Sequence, residues 1–168
     1  MTSQHRTPVD VLVLLEDHGR VLLTQRAGDI PGTGEWALPS GGVEADEDVI
    51  SAVRRELTEE LGISVDPGDV QFVGVTHARP PGGDARIGFG FVISRWAGDP
   101  EIREPERCSG LDWRAPSDLP EPTMAYTREI LRLHVSGEGL SVRGWPPHPA
   151  PAALPAAHAT TGEDPQPV

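Results

Sequence analysis

The stretch Ala45 to Leu61 constrains this chain more than any other, because it carries two different faces on one helical period. Ile50, Val53, Leu57 and Leu61 fall on one stripe at about 100° per residue, so the segment reads as a helix packed on a sheet. Asp46, Glu47 and Asp48 at its start suit the helix dipole, and Gly62 is placed to cap its end. Glu56, Glu59 and Glu60 gather within an arc of about 100° on another face. Like charges so placed repel one another unless a positive group sits among them. A solvated acidic face is the plain alternative, since Glu favours helices and surfaces. The context argues for a divalent cation. Gly41 and Gly42 stand directly before the helix, where backbone can approach a phosphate or a metal. Oxygen-only ligands select Mg²⁺, or Mn²⁺, rather than Zn²⁺.

Around this helix the chain is mostly strand. Val9 to Leu15 and Arg20 to Gln25 flank the turn Glu16–Gly19 and predict a hairpin. Gly28 to Glu35 reads as a loop. Trp36 to Leu38 reads as a short strand feeding a loop at Pro39–Gly42. Val70 to Thr76, Ile87 to Trp96 and Leu111 to Trp113 predict further strands, and Tyr126 to Val135 a second helix stopped by Gly137. The pattern predicts an α/β fold, a three-layer α/β/α sandwich with a mixed sheet. Residues 9–143 form the expected domain. Residues 1–8 read as a flexible N-terminus and 144–168, rich in Pro and Ala, as a disordered tail.

The net charge of -12 repels polymeric nucleic acid at long range, so DNA and RNA are poor partners. A small phosphorylated ligand is compatible, because bound cations invert the local field. Cys108 is the single cysteine, which excludes an intrachain disulfide. No secretory segment and no apolar run of about 18 residues is present. The expected setting is the cytoplasm, with no membrane partner.

Gly41, five residues, Glu47, seven residues, Arg55-Glu56-Leu57, one residue, Glu59-Glu60, one residue and Gly62-Ile63 is similar to the Nudix box, with every defined position filled. The resemblance implies the Nudix α/β/α sandwich and a metal-dependent hydrolase of phosphoric anhydride bonds. It assigns Glu56, Glu59 and Glu60 to the metal, with a backbone carbonyl from Gly41. It gives Glu59 or Glu60 a part in activating water, and pairs Arg55 with Glu47 or with a metal-binding Glu. Gly42 belongs to the same loop against the substrate.

Arg95-Trp96 and Gly98-Asp99-Pro100 resemble the MutT-like branch. Counting forward places Glu104 at a further metal ligand, with Glu106 as its rival. Arg26 matches a nucleotide-contacting position. Trp113 and Asp118-Leu119-Pro120 resemble the approach to the base pocket, which puts Thr123 on the substrate. There the chain departs from MutT, which carries an Asn. One hydroxyl cannot make the paired hydrogen bonds of an amide, so selection of oxidised guanine is not implied. His77 and Arg79 read as a solvated strand end, Trp36 as core, and Cys108 as an ordinary thiol. Tyr126 and Arg128, at the start of the second helix, are weaker candidates for the pocket lining.

The expected reaction is hydrolysis of a nucleoside diphosphate linked to a moiety X, a nucleoside triphosphate giving monophosphate and pyrophosphate being preferred. Nucleotide sugars and ADP-ribose are the alternatives within that class. A ligand-sensing module without catalysis is the alternative outside it. Dimers among the relatives make a homodimer one expectation.

Overall fold

The computed structural model describes residues 6–147. Its first strand, β1 (Val9–Asp17), turns back into β2 (Arg20–Arg26) through His18 and Gly19, both at positive φ (49° and 74°). Two such residues make the tight turn that suits the twist of a hairpin. β1 is apolar nearly throughout because both of its faces are covered. Val11, Val13 and Leu15 pack with α1 (Val49–Leu61) through Val53, Leu57 and Leu61. Leu12 and Leu14 pack with α2 (Ala125–Ser136) through Ile130, Leu131 and Leu133.

Between the helices lies one eight-stranded sheet. The remaining strands are β3 (Trp36–Ala37), β4 (Ser40–Gly42), β5 (Gln71–Ala78), β6 (Arg86–Ile93), β7 (Cys108–Arg114) and β8 (Leu140–Arg143). The order is β3-β2-β1-β6-β5-β8, with β4 joined to β1 and β7 to β2. β1 runs parallel to β6 and β5 to β8, while the other pairs are antiparallel. The result is the mixed-sheet α/β/α sandwich expected from the sequence. No helix among the described residues is long and apolar enough to cross a membrane.

Four local expectations change. The first helix begins at Val49 rather than Ala45. Asp48 is its N-cap, accepting from the backbone N–H groups of Ile50 and Ser51 at 2.9 Å each, so the acidic run precedes the first turn instead of filling it. Pro39–Gly42 is not all loop, because Ser40–Gly42 pairs antiparallel with β1. β8 adds an edge strand that the sequence reading lacked. Trp145, assigned to the tail, packs at a tilt of 45° against His77 with ring centroids 4.8 Å apart, and the Arg79 guanidinium lies 5.6 Å from its ring centroid. His77 is thereby half-buried rather than solvated, whereas Arg79 stays exposed as expected. Most of the tail, 148–168, lies outside the described residues, as do residues 1–5 of the N-terminus.

β8 is fastened by Glu129, a buried acid on α2. Its carboxylate accepts from the Ser141 hydroxyl at 2.5 Å, from Arg143 Nε at 2.8 Å and from Arg132 Nε at 2.9 Å. Burial works to raise this carboxyl, but the Ser141, Arg143 and Arg132 hydrogen bonds outweigh it and hold it below its ordinary 4.5. A depressed pKa stabilises the fold above the unfolded value, and that stabilisation is lost as pH falls through the folded one. Glu129→Gln is therefore expected to cost about 2 kcal/mol at neutral pH. In urea titrations its deficit against wild type should shrink as the pH drops below the carboxylate range. A deficit independent of pH would show that the charge is not what holds β8.

Candidate active site

The pairing of β4 with β1 sets Val11 opposite Gly41 and brings that glycine under α1. A Cβ on Gly41 would lie 1.8 Å from the Glu56 Cδ and Oε1. A side chain there would have to displace the Glu56 carboxylate, so Gly41 leaves that group its place. Gly42 has open space where its Cβ would be. Its contribution is its carbonyl oxygen, which accepts from Arg55 Nη2 at 2.9 Å.

Arg55 organises the acidic face. It grips Glu47 through Nη2 to Oε1 at 2.6 Å and Nε to Oε2 at 3.1 Å. Its Nη1 donates to Glu56 Oε1 at 2.8 Å and to Glu59 Oε2 at 3.0 Å. Glu47 in turn accepts from the Glu44 backbone N–H at 2.9 Å, which closes the turn between β4 and α1. The Arg55 side chain and the Glu47 and Glu56 carboxylates are largely buried, so this fan of charge-assisted bonds is only weakly screened. Glu47, first among them, holds the guanidinium well above its ordinary range.

Glu60 lies outside the fan. Its Oε2 accepts from the Ser40 backbone N–H at 3.1 Å. Burial pushes its carboxyl up to about 8, helped by the charges of Glu56 and Glu104. Glu56 is also raised, again by burial first, against the opposing pull of Arg55. Glu104 reaches this cluster because its loop hangs on the end of α1: Arg103 N donates to Glu60 O at 3.0 Å and Glu101 N to Leu61 O at 3.1 Å. Across the gap, Ala27 N donates to Arg107 O at 2.8 Å and joins the end of β2 to the start of β7. The enclosed pocket is lined by Thr24, Arg26, Ile30, Ser40, Glu60, Glu104, Arg107 and Cys108.

The sequence-derived candidates divide accordingly. Gly41, Glu47, Arg55, Glu56 and Glu59 meet in the fan, Glu59 at its exposed margin. Arg26, Glu60 and Glu104 meet in the pocket. Glu106, the rival of Glu104, is exposed and is absent from that lining. Thr123 is not in the lining either. It is buried, and its hydroxyl donates to Pro120 O, so its proton is committed to a turn. Trp36 packs on the α2-side core, as expected. The Tyr126 hydroxyl is buried without a partner, and Arg128 pairs with Glu121 at 2.6 Å, both away from this pocket. Cys108 does line the pocket, and burial pushes its thiol up, away from a reactive thiolate.

Arg107 and the Ser40 N–H were missed. A backbone donor has no sequence signature. Arg107 carried only the hint of a basic residue three positions after Glu104, within a charged loop.

Among the described residues, no three His, Cys, Asp or Glu side chains converge into an ion cage as they stand. Arg55 holds Glu56 and Glu59, and Glu60 is turned to Ser40. The donors nevertheless fit a hard divalent ion. They are all oxygens, and the Glu56 and Glu60 carboxyls, raised first by burial and then by neighbouring carboxylates, sit where a cation would favour their charged form.

A family model described as the NUDIX domain matches residues 4–134. The chain belongs to the Nudix hydrolase family. It is similar to the RNA pyrophosphohydrolase of Gluconacetobacter diazotrophicus, 45% identical over 143 residues, covering 73% of this chain and 85% of that one. A match to the RNA pyrophosphohydrolase of Halorhodospira halophila is 43% identical over 66 residues, 39% of this chain and only 33% of that protein. The crystal structure of a MutT NUDIX hydrolase from Burkholderia pseudomallei superposes with a TM-score of 0.71 at 32% identity, over 77% of this chain and 98% of that one. This Nudix chain is thus a hydrolase acting on phosphoric anhydride bonds, in a family that generally uses divalent metal ions.

The steric account of the two glycines separates them. Gly41→Ala should displace the Glu56 carboxylate and lower kcat/KM by about 100-fold. Gly42→Ala should stay near wild type, and equal losses in initial-rate assays would refute the distinction.

Proposed function

We propose that this Nudix hydrolase uses Mg²⁺, with Mn²⁺ as a substitute, to cleave a nucleoside diphosphate linked to X. A nucleoside triphosphate yielding monophosphate and pyrophosphate is the preferred substrate. The observation that carries this reading is one small pocket in which Glu60 and Glu104 share the lining with Arg26 and Arg107. Carboxylates suit the ions, and guanidiniums suit the phosphoryl oxygens.

In the hydrolysis, a water oxygen bonds to a phosphorus of the αβ anhydride and the bridging P–O bond breaks. When bound, Mg²⁺ supplies charge neutralisation on the phosphoryl oxygens and helps orient water. Glu56, Glu59, Glu60, Glu104 and the Gly41 carbonyl are the donors assigned to it. Arg55, held by Glu47 and Gly42 O, keeps the glutamates of α1 in position. Arg26 is steadied by donating through Nε to Pro31 O at 2.8 Å, which leaves its terminal nitrogens for phosphate. Glu59 or Glu60 takes the proton released by water. Thr123, with its donor spent, leaves base selection to other groups.

The name of the Gluconacetobacter relative favours a second reading, a triphosphate at an RNA 5′ end. The net charge of -12 works against a polymeric substrate. An initial-rate comparison with Mg²⁺ should include the nucleoside triphosphates, nucleotide sugars, ADP-ribose and a 5′-triphosphorylated RNA oligomer. The expected leader is a free triphosphate. Faster turnover of the RNA end, or of none of these, would overturn the preference. Glu60→Gln should lower kcat on the best substrate by about 1000-fold with little change in Tm. Wild-type turnover at saturating Mg²⁺ would remove Glu60 from its assigned role.

A further inference from the structure

The loop that carries Glu104 also caps the end of α1. The last carbonyls of a helix have no partner within it. Leu57 O and Thr58 O accept from the backbone N–H groups of Ile63 and Gly62. Two later carbonyls, Glu60 O and Leu61 O, accept from Arg103 N at 3.0 Å and Glu101 N at 3.1 Å. The last turn of α1 has no basic residue, although a cation is favoured there. Arg103 supplies one from the loop. A Cβ on Gly62 would lie 2.5 Å from Arg103 Nε and 3.1 Å from its Nη2. The guanidinium thus lies across the glycine, in space that any other side chain at that position would enter. Arg103 Nη2 also pairs with Glu101 Oε1 at 2.5 Å. Residue 62 is glycine for its positive φ of 69° and for this contact as well.

Arg103 immediately precedes Glu104. On the other side, Glu104 O accepts from Arg107 N and Cys108 N, both at 2.9 Å, which ties it to the start of β7. Glu104 therefore hangs between two anchors, one on α1 and one on β7. Its side chain enters the pocket that Glu60 also lines. Two carboxylates in one small pocket repel each other. That repulsion pushes the loop away from α1 unless the anchor there resists it.

We propose that the Arg103 side chain, laid across Gly62, is a positioning residue that holds Glu104 beside Glu60 and so sets how tightly the site takes its divalent ion. The proposal rests on the assignment of Glu104 as an ion donor made above. The two backbone bonds to α1 leave the loop a pivot, and the guanidinium seated on Gly62 and Glu101 closes it. Arg103 is 55% exposed and its pair with Glu101 lies on the surface, so it adds little to overall stability. Its effect falls on geometry. Loss of a group that orients a metal ligand weakens ion binding by about 10- to 100-fold.

The test is Mn²⁺ binding to the full chain without substrate, read by electron paramagnetic resonance. Arg103→Ala should raise the Kd by about 10-fold, with Tm within about 2 °C of wild type. Glu104→Gln should raise it at least as much. Adding Arg103→Ala to Glu104→Gln should change nothing further, because Arg103 acts through Glu104. In hydrolysis, Arg103→Ala should raise the Mg²⁺ concentration for half-maximal rate while kcat at saturating Mg²⁺ stays near wild type. An unchanged Kd in Arg103→Ala, whatever its Tm, would overturn the proposal and leave Glu104 its role. So would a loss of affinity that persists in full beside Glu104→Gln. Wild-type affinity in Glu104→Gln alone would instead strike the assignment of Glu104, and the proposal with it.

Discussion

The arrangement of this site depends on one guanidinium. Arg55 gathers Glu47, Glu56, Glu59 and the Gly42 carbonyl, and so ties the first turn of the loop, the middle of α1 and the end of β4 into one unit. Without it, carboxylates on one helix face would spread apart by mutual repulsion. A lysine could not reproduce the grip, because the bonds diverge in a fixed planar fork toward four acceptors. The absence of a side chain at Gly41 completes the device, since the space a Cβ would take is filled by Glu56.

The second organising feature is β1. Its inward and outward residues feed two separate cores, one under each helix. The strand thereby fixes α1 and α2 relative to one another, and pairing with β4 carries that fixed frame to the glycines. Leu38 N, next to β3, donates to the buried Thr127 hydroxyl at 3.0 Å and links α2 back to the strand segment before the site. Packing and site geometry are therefore coupled through these hydrogen bonds as well as through the Arg55 side chain.

Much of this was legible in the sequence where periodicity or spacing carried the signal. The stripe Val53, Leu57, Leu61 and the cap at Gly62 appear where expected, and the glutamates of α1 share a face. Legibility failed where structure is made by backbone alone. Ser40–Gly42 is a strand because β1 offers it partners, though two of its three residues are glycine. The start of α1 was misplaced because Asp48 serves as a cap, and acidic residues suit both a cap and a first turn. β8 was too short to show a period. Glu104 could be placed by counting, but its approach to Glu60 depends on the Arg103 and Glu101 backbone N–H groups. Arg107 enters through the β2–β7 ladder, a pairing that spans some 80 residues of chain: Arg26 with Cys108.

That difference in span divides the site by order of assembly. The glycines and the glutamates of α1 lie within one short stretch, so closing them together costs little chain entropy. Arg26 and Arg107 meet only after a long loop has closed, which makes their half the later to form and the easier to loosen. Drift in the ladder between β2 and β7 would thus move Arg26 and Arg107 while the glycines and the glutamates of α1 kept their places. The fold sets the two clusters on separate hinges.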